Sequence, residues 1–278
     1  MNRKLLIVVL LMCGLSAIGQ KKINYVDPMI GTNGMGHTFP GACVPHGLVQ
    51  LSPDTDTVPH NVNGTYQPRA YEYCAGYQHR DSSIVGFSHT HFNGTGHSDL
   101  GDILIMPITG DVKFNPGTAE DPDSGYRSRF DKKDEIAVPG YYSVILKDYG
   151  VKAELTATQR VGFHRYTYPK SEQANLIFDI GNKQGESGEV KDAEVQYFDD
   201  GRVEGYVVTS PVYVDIYQKG ADVRMYFSAV LNKQPIEVGT FVKDKVVSGK
   251  YQAKGPGAGL YLTFSTEEQE SVEVKVGL

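Results

Sequence analysis

The second half of the chain is a close series of short strand signals, which strongly restricts how the chain can fold. From residue 141 onward, segments of alternating apolar and polar residues are separated by turn residues such as Asp199-Asp200-Gly201. After the first nineteen residues, no segment of eleven or more has sustained helical spacing. We therefore predict an all-β fold, an antiparallel β-sandwich with few or no long helices. The predicted strands are residues 141–147, 151–158, 161–168, 174–180, 189–198, 202–209, 212–218, 222–231, 235–247, 259–265 and 272–276.

The first half of the chain is less regular. Glycine and proline are dense in residues 31–53, which predicts turns that end in a short strand at residues 48–51. Residues 102–109 (DILIMPIT) predict a fully buried strand. Residues 114–138 are charged and poor in large apolar groups, and we expect a surface excursion there.

The first nineteen residues have the pattern of a signal peptide. Arg3 and Lys4 precede an apolar run over residues 5–15, and small residues lead to a predicted cleavage after Gly19. The run is too short to cross a bilayer well, and no later stretch is long and apolar enough. We therefore expect an exported protein, periplasmic or secreted, whose mature chain is residues 20–278.

Charge and cysteine content restrict the partners and the cross-links. The net charge is −6 and no run of Lys or Arg is present, so the basic surface that nucleic-acid binding requires is missing. Cys43 and Cys74 remain after signal cleavage. Export would permit a disulfide between them, but two buried thiols are an equally good interpretation.

The stretch from residue 84 to residue 102 is the leading candidate for a functional site. It contains His89, His91 and His97 together with Asp99. Two histidines that are two residues apart on a strand share a face, so His89 and His91 could hold one ligand. A zinc site on the three histidines is an alternative, but Asn93 and Gly94 stand where a metallo-β-lactamase pattern needs Asp and His. A polar ligand-binding role is favoured, and histidines that merely hold the glycine loop are the next possibility.

Aromatic and acidic residues before this stretch suit a sugar ligand. Asp54 follows Pro53 and could accept hydrogen bonds from sugar hydroxyls. Tyrosines whose rings could stack on a sugar lie at residues 66, 71, 73 and 77. Paired carboxylates at Asp54 and Asp56 could also act as general acid and base, although a capped turn is the commoner explanation.

These motifs together resemble the opening of family 92 of the glycoside hydrolases. They are Asp27-Pro28-Met29-Ile30-Gly31-Thr32, Gly36-His37-Thr38-Phe39-Pro40-Gly41-Ala42, Gln50-Leu51-Ser52-Pro53-Asp54-Thr55, Gly76-Tyr77, Gly86-Phe87-Ser88-His89-Thr90-His91 and Gly94-Thr95-Gly96 with Asp99. The resemblance covers essentially the whole mature chain. One departure is His46, where relatives tend to carry an aromatic residue.

The resemblance implies calcium-dependent, inverting exo-α-mannosidase chemistry on mannan or N-glycan mannosides. It implies a supersandwich, galactose-mutarotase-like N-terminal domain over residues 20–278. The general acid, the general base and the calcium ligands would lie in a C-terminal (α/α)6-barrel domain, which we expect this chain to lack. The chain alone would then hold no calcium and be inactive, and no catalytic residue or metal ligand is assigned to it.

The sandwich would instead form one wall of the sugar pocket. We expect its substrate-binding residues to be His37, His46, Asp54, Tyr77, His89, His91, His97 and Asp99. A free-standing carbohydrate-binding module without hydrolytic activity is the alternative.

Overall fold

The fold comes from a computed structural model of the chain. It describes residues 22–55, 61–96, 102–181, 189–243 and 245–278. The predicted signal peptide, His97 and Asp99 lie outside the described residues. Within the described ranges, no helix is long and apolar enough to cross a membrane.

Two large sheets, in which every neighbouring pair of strands is antiparallel, form the body of the molecule. The first sheet has eight described strands. In spatial order they are β1 (Ala42–Cys43), β2 (Gln50–Asp54), β6 (Gly86–Ser88), β7 (Leu104–Thr109), β13 (Ser171–Asp179), β20 (Ala258–Thr266), β17 (Glu237–Val242) and β18 (Lys245–Ser248).

The second sheet has nine described strands. In spatial order they are β19 (Gln252–Lys254), β14 (Glu189–Tyr197), β15 (Arg202–Ser210), β16 (Val223–Leu231), β21 (Glu270–Gly277), β12 (Val161–Tyr168), β11 (Val151–Ala157), β10 (Tyr141–Leu146) and β9 (Ile136–Val138). Two small ribbons pair β3 (Asn61–Val62) with β4 (Thr65–Tyr66) and β5 (Ser83–Ile84) with β8 (Ser128–Arg129).

The helices among the described residues are short. Four are 3-10 turns, at Gly34–Gly36, Pro68–Tyr73, Pro122–Ser124 and Lys132–Asp134, and α1 spans Val212–Tyr217.

The two large sheets pack face to face and share one core. Phe87 of the first sheet meets Tyr166 of the second with ring centroids 6.0 Å apart, and Phe178 stacks on Phe227 at 6.3 Å. Alternate residues of β11 and β12 are buried, as expected for a sheet with one face on the core. The predicted all-β sandwich is confirmed.

The first sheet is covered on its outer face as well. β7 is buried along almost its whole length, which agrees with the predicted buried strand. Phe114 packs on the outer face against Phe241 at 5.1 Å and Tyr261 at 6.1 Å. Tyr126 is fully buried. The prediction of a surface excursion over residues 114–138 was therefore wrong in part, because this segment is a cover for the sheet.

One predicted strand is a helix. Residues 212–218 alternate in polarity, yet Val212–Tyr217 forms α1. β15 and β16 pair directly, with Thr209 opposite Val223, so the chain between them must reverse direction. Pro211 precedes the helix, and Ile216 and Tyr217 lie exposed. An extended segment is stabilised by pairing with a neighbouring strand. Without such a strand, the alternation of apolar and polar residues does not decide the conformation.

A chain of buried hydrogen bonds joins the two sheets beside their apolar contacts. His89, which follows β6, lies with its Nε2 2.9 Å from the Nε2 of His164 on β12. The Nδ1 of His89 is 2.7 Å from the carbonyl oxygen of Ile103, and the Nδ1 of His164 is 2.7 Å from the hydroxyl of Tyr166. Gly162 leaves room for the His89 ring, since a Cβ there would lie 2.8 Å from the His89 Cδ2.

The chemistry of the four groups decides which one donates in each of these hydrogen bonds. A carbonyl oxygen can only accept, so the Nδ1 of His89 carries the hydrogen. A neutral His89 then accepts at Nε2, the Nε2 of His164 donates to it, and Tyr166 donates to the Nδ1 of His164. Burial lowers the pKa of His89 to about 4 and that of His164 well below its ordinary value. Both rings are therefore neutral in the folded chain at pH 7.

This arrangement makes the fold sensitive to acid in a definite direction. An unfolded histidine binds a proton as the pH falls below about 6.5, whereas these folded rings do not, so acid favours the unfolded chain. Asp102 acts in the opposite sense, because burial raises its pKa to about 6 and the folded carboxyl takes up a proton first. A stability curve alone would mix the two effects.

We therefore predict the tautomers directly. In the folded chain, nitrogen NMR of labelled histidine will show His89 protonated at Nδ1 and His164 protonated at Nε2, and neither ring will titrate between pH 8 and about 5. The same chain unfolded in urea provides the reference titration. If either ring titrated near the pKa of histidine in the unfolded chain, the assignment of two neutral rings with these tautomers would be wrong.

Candidate functional site

A buried ion pair lies where β2 meets the segment after β6. The Nε2 of His91 is 3.0 Å from the Oδ1 of Asp54, and its Nδ1 donates to the carbonyl of Gln50 at 2.7 Å. The other carboxylate oxygen of Asp54 accepts the backbone N–H of Ser88 at 3.1 Å. The hydroxyl of Ser88 also lies 3.1 Å from the Nε2 of His91. A carbonyl oxygen and a carboxylate oxygen can only accept, so a ring that donates to both Gln50 and Asp54 is an imidazolium, and the Ser88 hydroxyl then accepts as well.

The electrostatics agree with a charged His91. Burial acts to lower the pKa of His91, but the charge and hydrogen bond of Asp54, together with the Gln50 carbonyl, raise it above its ordinary value. Gly76, with φ +77°, packs against this pair: a Cβ there would lie 2.2 Å from the Oδ1 of Asp54. The pair is thus enclosed by backbone as well as by side chains.

A second buried carboxylate fixes the backbone between the two histidines. The hydroxyl of Thr90 donates to Asp102 at 3.2 Å and accepts the Asp102 N–H at 2.9 Å. The N–H of His89 donates to the Asp102 carbonyl at 3.0 Å. Burial raises the pKa of Asp102 to about 6, although the Thr90 bond and the His91 charge lower it. The side chains of Ser88, His89, Thr90 and His91 are therefore all engaged below the surface.

His37 connects this buried cluster to the surface. Its backbone is left-handed, with φ +51°, and its carbonyl accepts the N–H of Gly94 at 2.6 Å. Its ring meets the exposed Tyr71 edge-on, with centroids 4.9 Å apart. The neighbouring Phe39 packs against His91 at 5.3 Å. His37 therefore lies between the ion pair and the loop formed by residues 93–96.

The Nε2 of His37 has no hydrogen-bond partner among the described residues. His37 is only 8% exposed. Leaving a buried polar nitrogen unpaired is costly, so within the described residues this nitrogen keeps the capacity for one more hydrogen bond.

Two other predicted site residues lie apart from His37 and the ion pair. Tyr77 is fully buried and its hydroxyl donates to Glu135 and accepts from Lys132, both at 2.7 Å. His46 is exposed in the turn between β1 and β2, with φ +58°. The structure therefore pairs His91 with Asp54, places Phe39, two residues after His37, against His91, buries His89 completely, and leaves Tyr77 and His46 outside the cluster.

The structure also contains site residues that the sequence reasoning missed. Gln78 holds the turn before His37 with two bonds, accepting the Gly34 N–H at 2.7 Å and donating to its carbonyl at 3.0 Å. Gln50 and Ser88 complete the surroundings of His91. His164 had a readable signal, because it is a polar residue at an inward position of the alternating strand β12.

The two cysteines form no disulfide in the described structure. Cys43 is exposed and Cys74 is buried, with its Sγ donating to the carbonyl of Tyr71 at 3.0 Å. Of the two open interpretations, the structure therefore favours separate thiols, although only Cys74 is buried.

The substitution Asp54→Asn tests the ion pair. It leaves His91 without its counter-charge, and we expect the free energy of unfolding at pH 6 to fall by about 3 kcal/mol. The loss will shrink as the pH rises through the raised pKa of His91, because the pair stabilises the fold only while His91 is charged.

Urea unfolding at several pH values measures this effect. The matched control is Asp123→Asn, which removes a charge from an exposed pair with Arg129 and should leave the midpoint close to that of the unaltered chain. Equal losses from the two substitutions would contradict a buried imidazolium–carboxylate pair.

Comparisons with known proteins agree on one family. The model of the glycosyl hydrolase family 92 N-terminal domain matches residues 25–278. A family GH92 α-mannosidase from Bacteroides thetaiotaomicron, solved in complex with mannoimidazole, is 35% identical with a TM-score of 0.81. That match covers 92% of this chain and 32% of the mannosidase.

Two further matches are more distant. A family GH92 inverting mannosidase from the same bacterium shares the fold, with a TM-score of 0.67 at 21% identity, over 92% of this chain and 31% of that one. An uncharacterized secreted glycosidase of Arthroderma benhamiae is 29% identical over 156 residues, which are 53% of this chain and 17% of that protein. The chain thus spans about a third of the length of the solved mannosidases. It belongs to family 92 of the glycoside hydrolases and corresponds to the N-terminal domain of that family.

Proposed function

We propose that this chain forms the sugar-binding wall of an exported, inverting exo-α-mannosidase that acts on mannan or N-glycan α-mannosides. The observation that carries the proposal is the Nε2 of His37 beside Tyr71, which no described residue hydrogen-bonds. Family membership and the mannosidase relatives, one solved with mannoimidazole, support mannose as the sugar.

The chemistry at His37 suits a sugar hydroxyl. A hydroxyl can donate or accept, so it pairs with the Nε2 in either tautomer. Tyr71 is 36% exposed, and its ring lies against His37 and offers further surface and a hydroxyl to a sugar. The Gly94 N–H bond to the His37 carbonyl fixes the backbone, which keeps the imidazole in place before a ligand arrives.

The buried residues among the predicted sugar contacts support the site without touching the sugar. Asp54, His89 and His91 are at most 5% exposed, and we propose that they hold the backbone on which His37 and the loop of residues 93–96 rest. Tyr77 supports the neighbouring segment through Glu135. His46, His97 and Asp99 stay in the proposed set of sugar contacts.

We place the hydrolytic carboxylates outside this chain. Inverting hydrolysis needs two carboxyl groups roughly 6.5–9.5 Å apart with room for a water molecule between them. In the described core, Asp54 is paired with His91 and Asp102 is hydrogen-bonded to Thr90, so neither is available as such a pair. The pair would be supplied by a second domain, within the two thirds of the mannosidases that this chain does not match.

Calcium is proposed for that second domain as well. Calcium needs six to eight oxygen ligands, whereas the two carboxylate oxygens of Asp54 are already hydrogen-bonded to His91 and Ser88. No group of three or more His, Cys, Asp or Glu in the described ranges could hold a metal ion. The residues near His37 do not fit calcium, and no step of the proposed chemistry passes through a metal here.

Export is proposed on two grounds. The first nineteen residues have a signal-peptide pattern. The relative in Arthroderma benhamiae is described as secreted.

The substitution His37→Ala tests the proposed wall. We expect it to weaken binding of α-1,2-mannobiose to the chain by about tenfold, because it removes one hydrogen bond from a buried site. Binding is followed by NMR titration, with the exposed His79→Ala as the matched control. The chain alone should release no nitrophenol from an aryl α-mannoside.

Two results would count against the proposal. Unchanged mannobiose binding in His37→Ala would remove His37 from the site. Turnover of the aryl mannoside by the chain alone would place the catalytic pair within it.

A further inference from the structure

A second concavity lies at the far edge of the sandwich. Tyr251 stands in the short connection between β18 and β19, which are the end strands of the two large sheets. Its side chain is 51% exposed. A concavity of about 340 Å³ opens on one side of it, lined by Tyr197, Ile236 and Glu237 among others.

The aromatic part of this concavity is fixed in place. The ring of Tyr197 lies 6.1 Å from that of Tyr251, and the Tyr197 N–H donates to the Tyr251 carbonyl at 2.8 Å. The Tyr197 hydroxyl donates to Gln234 at 2.6 Å. The Gly249 N–H donates to the Val238 carbonyl at 3.0 Å, which ties the connection to β17. Tyr251 is therefore an exposed ring on a held backbone.

The polar part of the concavity offers acceptors that lack donors. Glu237 uses one oxygen, Oε1, to accept the hydroxyls of Ser248 at 2.8 Å and Tyr261 at 3.1 Å. Its other oxygen and the exposed Asp199 accept no hydrogen bond and form no ion pair within the described residues. No Lys or Arg lines this side of Tyr251. The concavity therefore favours a ligand that brings hydrogen-bond donors and carries no negative charge.

We propose that the concavity beside Tyr251 is a second binding site for a neutral oligosaccharide. Sugar hydroxyls would donate to Asp199 and Glu237, and the apolar face of a pyranose ring would lie on Tyr251. That the sugar is mannose rests on the proposed function above.

This site is far from the wall at His37. β2 and β18 are six strand steps apart in the same sheet, which is roughly 29 Å at about 4.8 Å per step. One mannobiose cannot reach both places, whereas a long mannan chain can. The second site would therefore raise the affinity for polymeric mannan through two-point attachment.

The test compares two sites on one labelled chain. Mannotriose is titrated into the nitrogen-labelled chain, and backbone shifts are followed separately at residues 37 and 71 and at residues 199, 249 and 251. We expect both groups to shift. At a fixed mannotriose concentration, Tyr251→Ala will reduce the shifts of the second group and leave those of the first, whereas His37→Ala will do the reverse.

Retardation in gels that contain yeast mannan measures the two-point effect. Tyr251→Ala should weaken retention by about three- to tenfold, the loss of one ring contact. Tyr251→Phe keeps the ring and should retain most of the binding, and Tyr226→Ala removes an equally exposed tyrosine of β16 as a control. Unchanged thermal midpoints show that the variants fold.

The outcomes separate this proposal from the one on which it rests. Shifts confined to residues 37 and 71 would overturn the second site and leave the proposed function standing. Shifts confined to the Tyr251 group would overturn the role of His37 and support the second site. A Tyr251→Ala variant that is retained as strongly as the unaltered chain would overturn the second site.

Discussion

The wall at His37 depends on the burial of four consecutive polar side chains, Ser88 to His91. The last three of them have partners from other parts of the chain: His89 meets His164, Thr90 meets Asp102 and His91 meets Asp54. The Ser88 hydroxyl bonds the His91 ring, and the Ser88 N–H donates to Asp54. Unpaired, each would cost free energy in a dry interior. Paired, they hold one short backbone segment against both sheets and leave it little freedom to shift.

The same segment carries two histidines in opposite charge states. His89 faces a carbonyl and a second imidazole, so a neutral ring satisfies it, whereas His91 faces a carbonyl and a carboxylate and must donate twice. The difference arises from the partners and not from depth, because both rings are buried. A charge on His91 also disfavours a charge on His89, since the two would repel.

Most strands could be predicted from the sequence because the alternation of apolar and polar residues is visible within each short segment. Residues 161–168 were predicted as a strand, and β12 has those bounds, Val161–Tyr168. The prediction failed at residues 212–218, where the absence of a neighbouring strand decides the conformation and no local signal reports it. The prediction for residues 114–138 was wrong in part for a related reason. A few buried residues such as Tyr126 anchor this mostly polar segment to the outer face of the first sheet.

The site was predicted in composition but not in arrangement. The spacing of His89 and His91 implies a shared face only while the strand continues, and β6 ends at Ser88, so the two rings diverge to different partners. The long-range partners, His164 above all, depend on how the sheets stack. A pattern within one segment cannot contain that information. That the His37 Nε2 meets no partner in the described part of the chain is likewise visible only in three dimensions.

The bond between His89 and His164 joins residues 75 positions apart in sequence, and this has a consequence for how the protein folds. Neither sheet alone offers its imidazole this partner, so burying either ring without the other would leave a dehydrated nitrogen unpaired. The free energy of that dehydration is recovered only when the faces meet in the correct register. Both nitrogens are therefore satisfied only in the docked sandwich, and a docking shifted by one residue would leave the two of them dehydrated and unpaired.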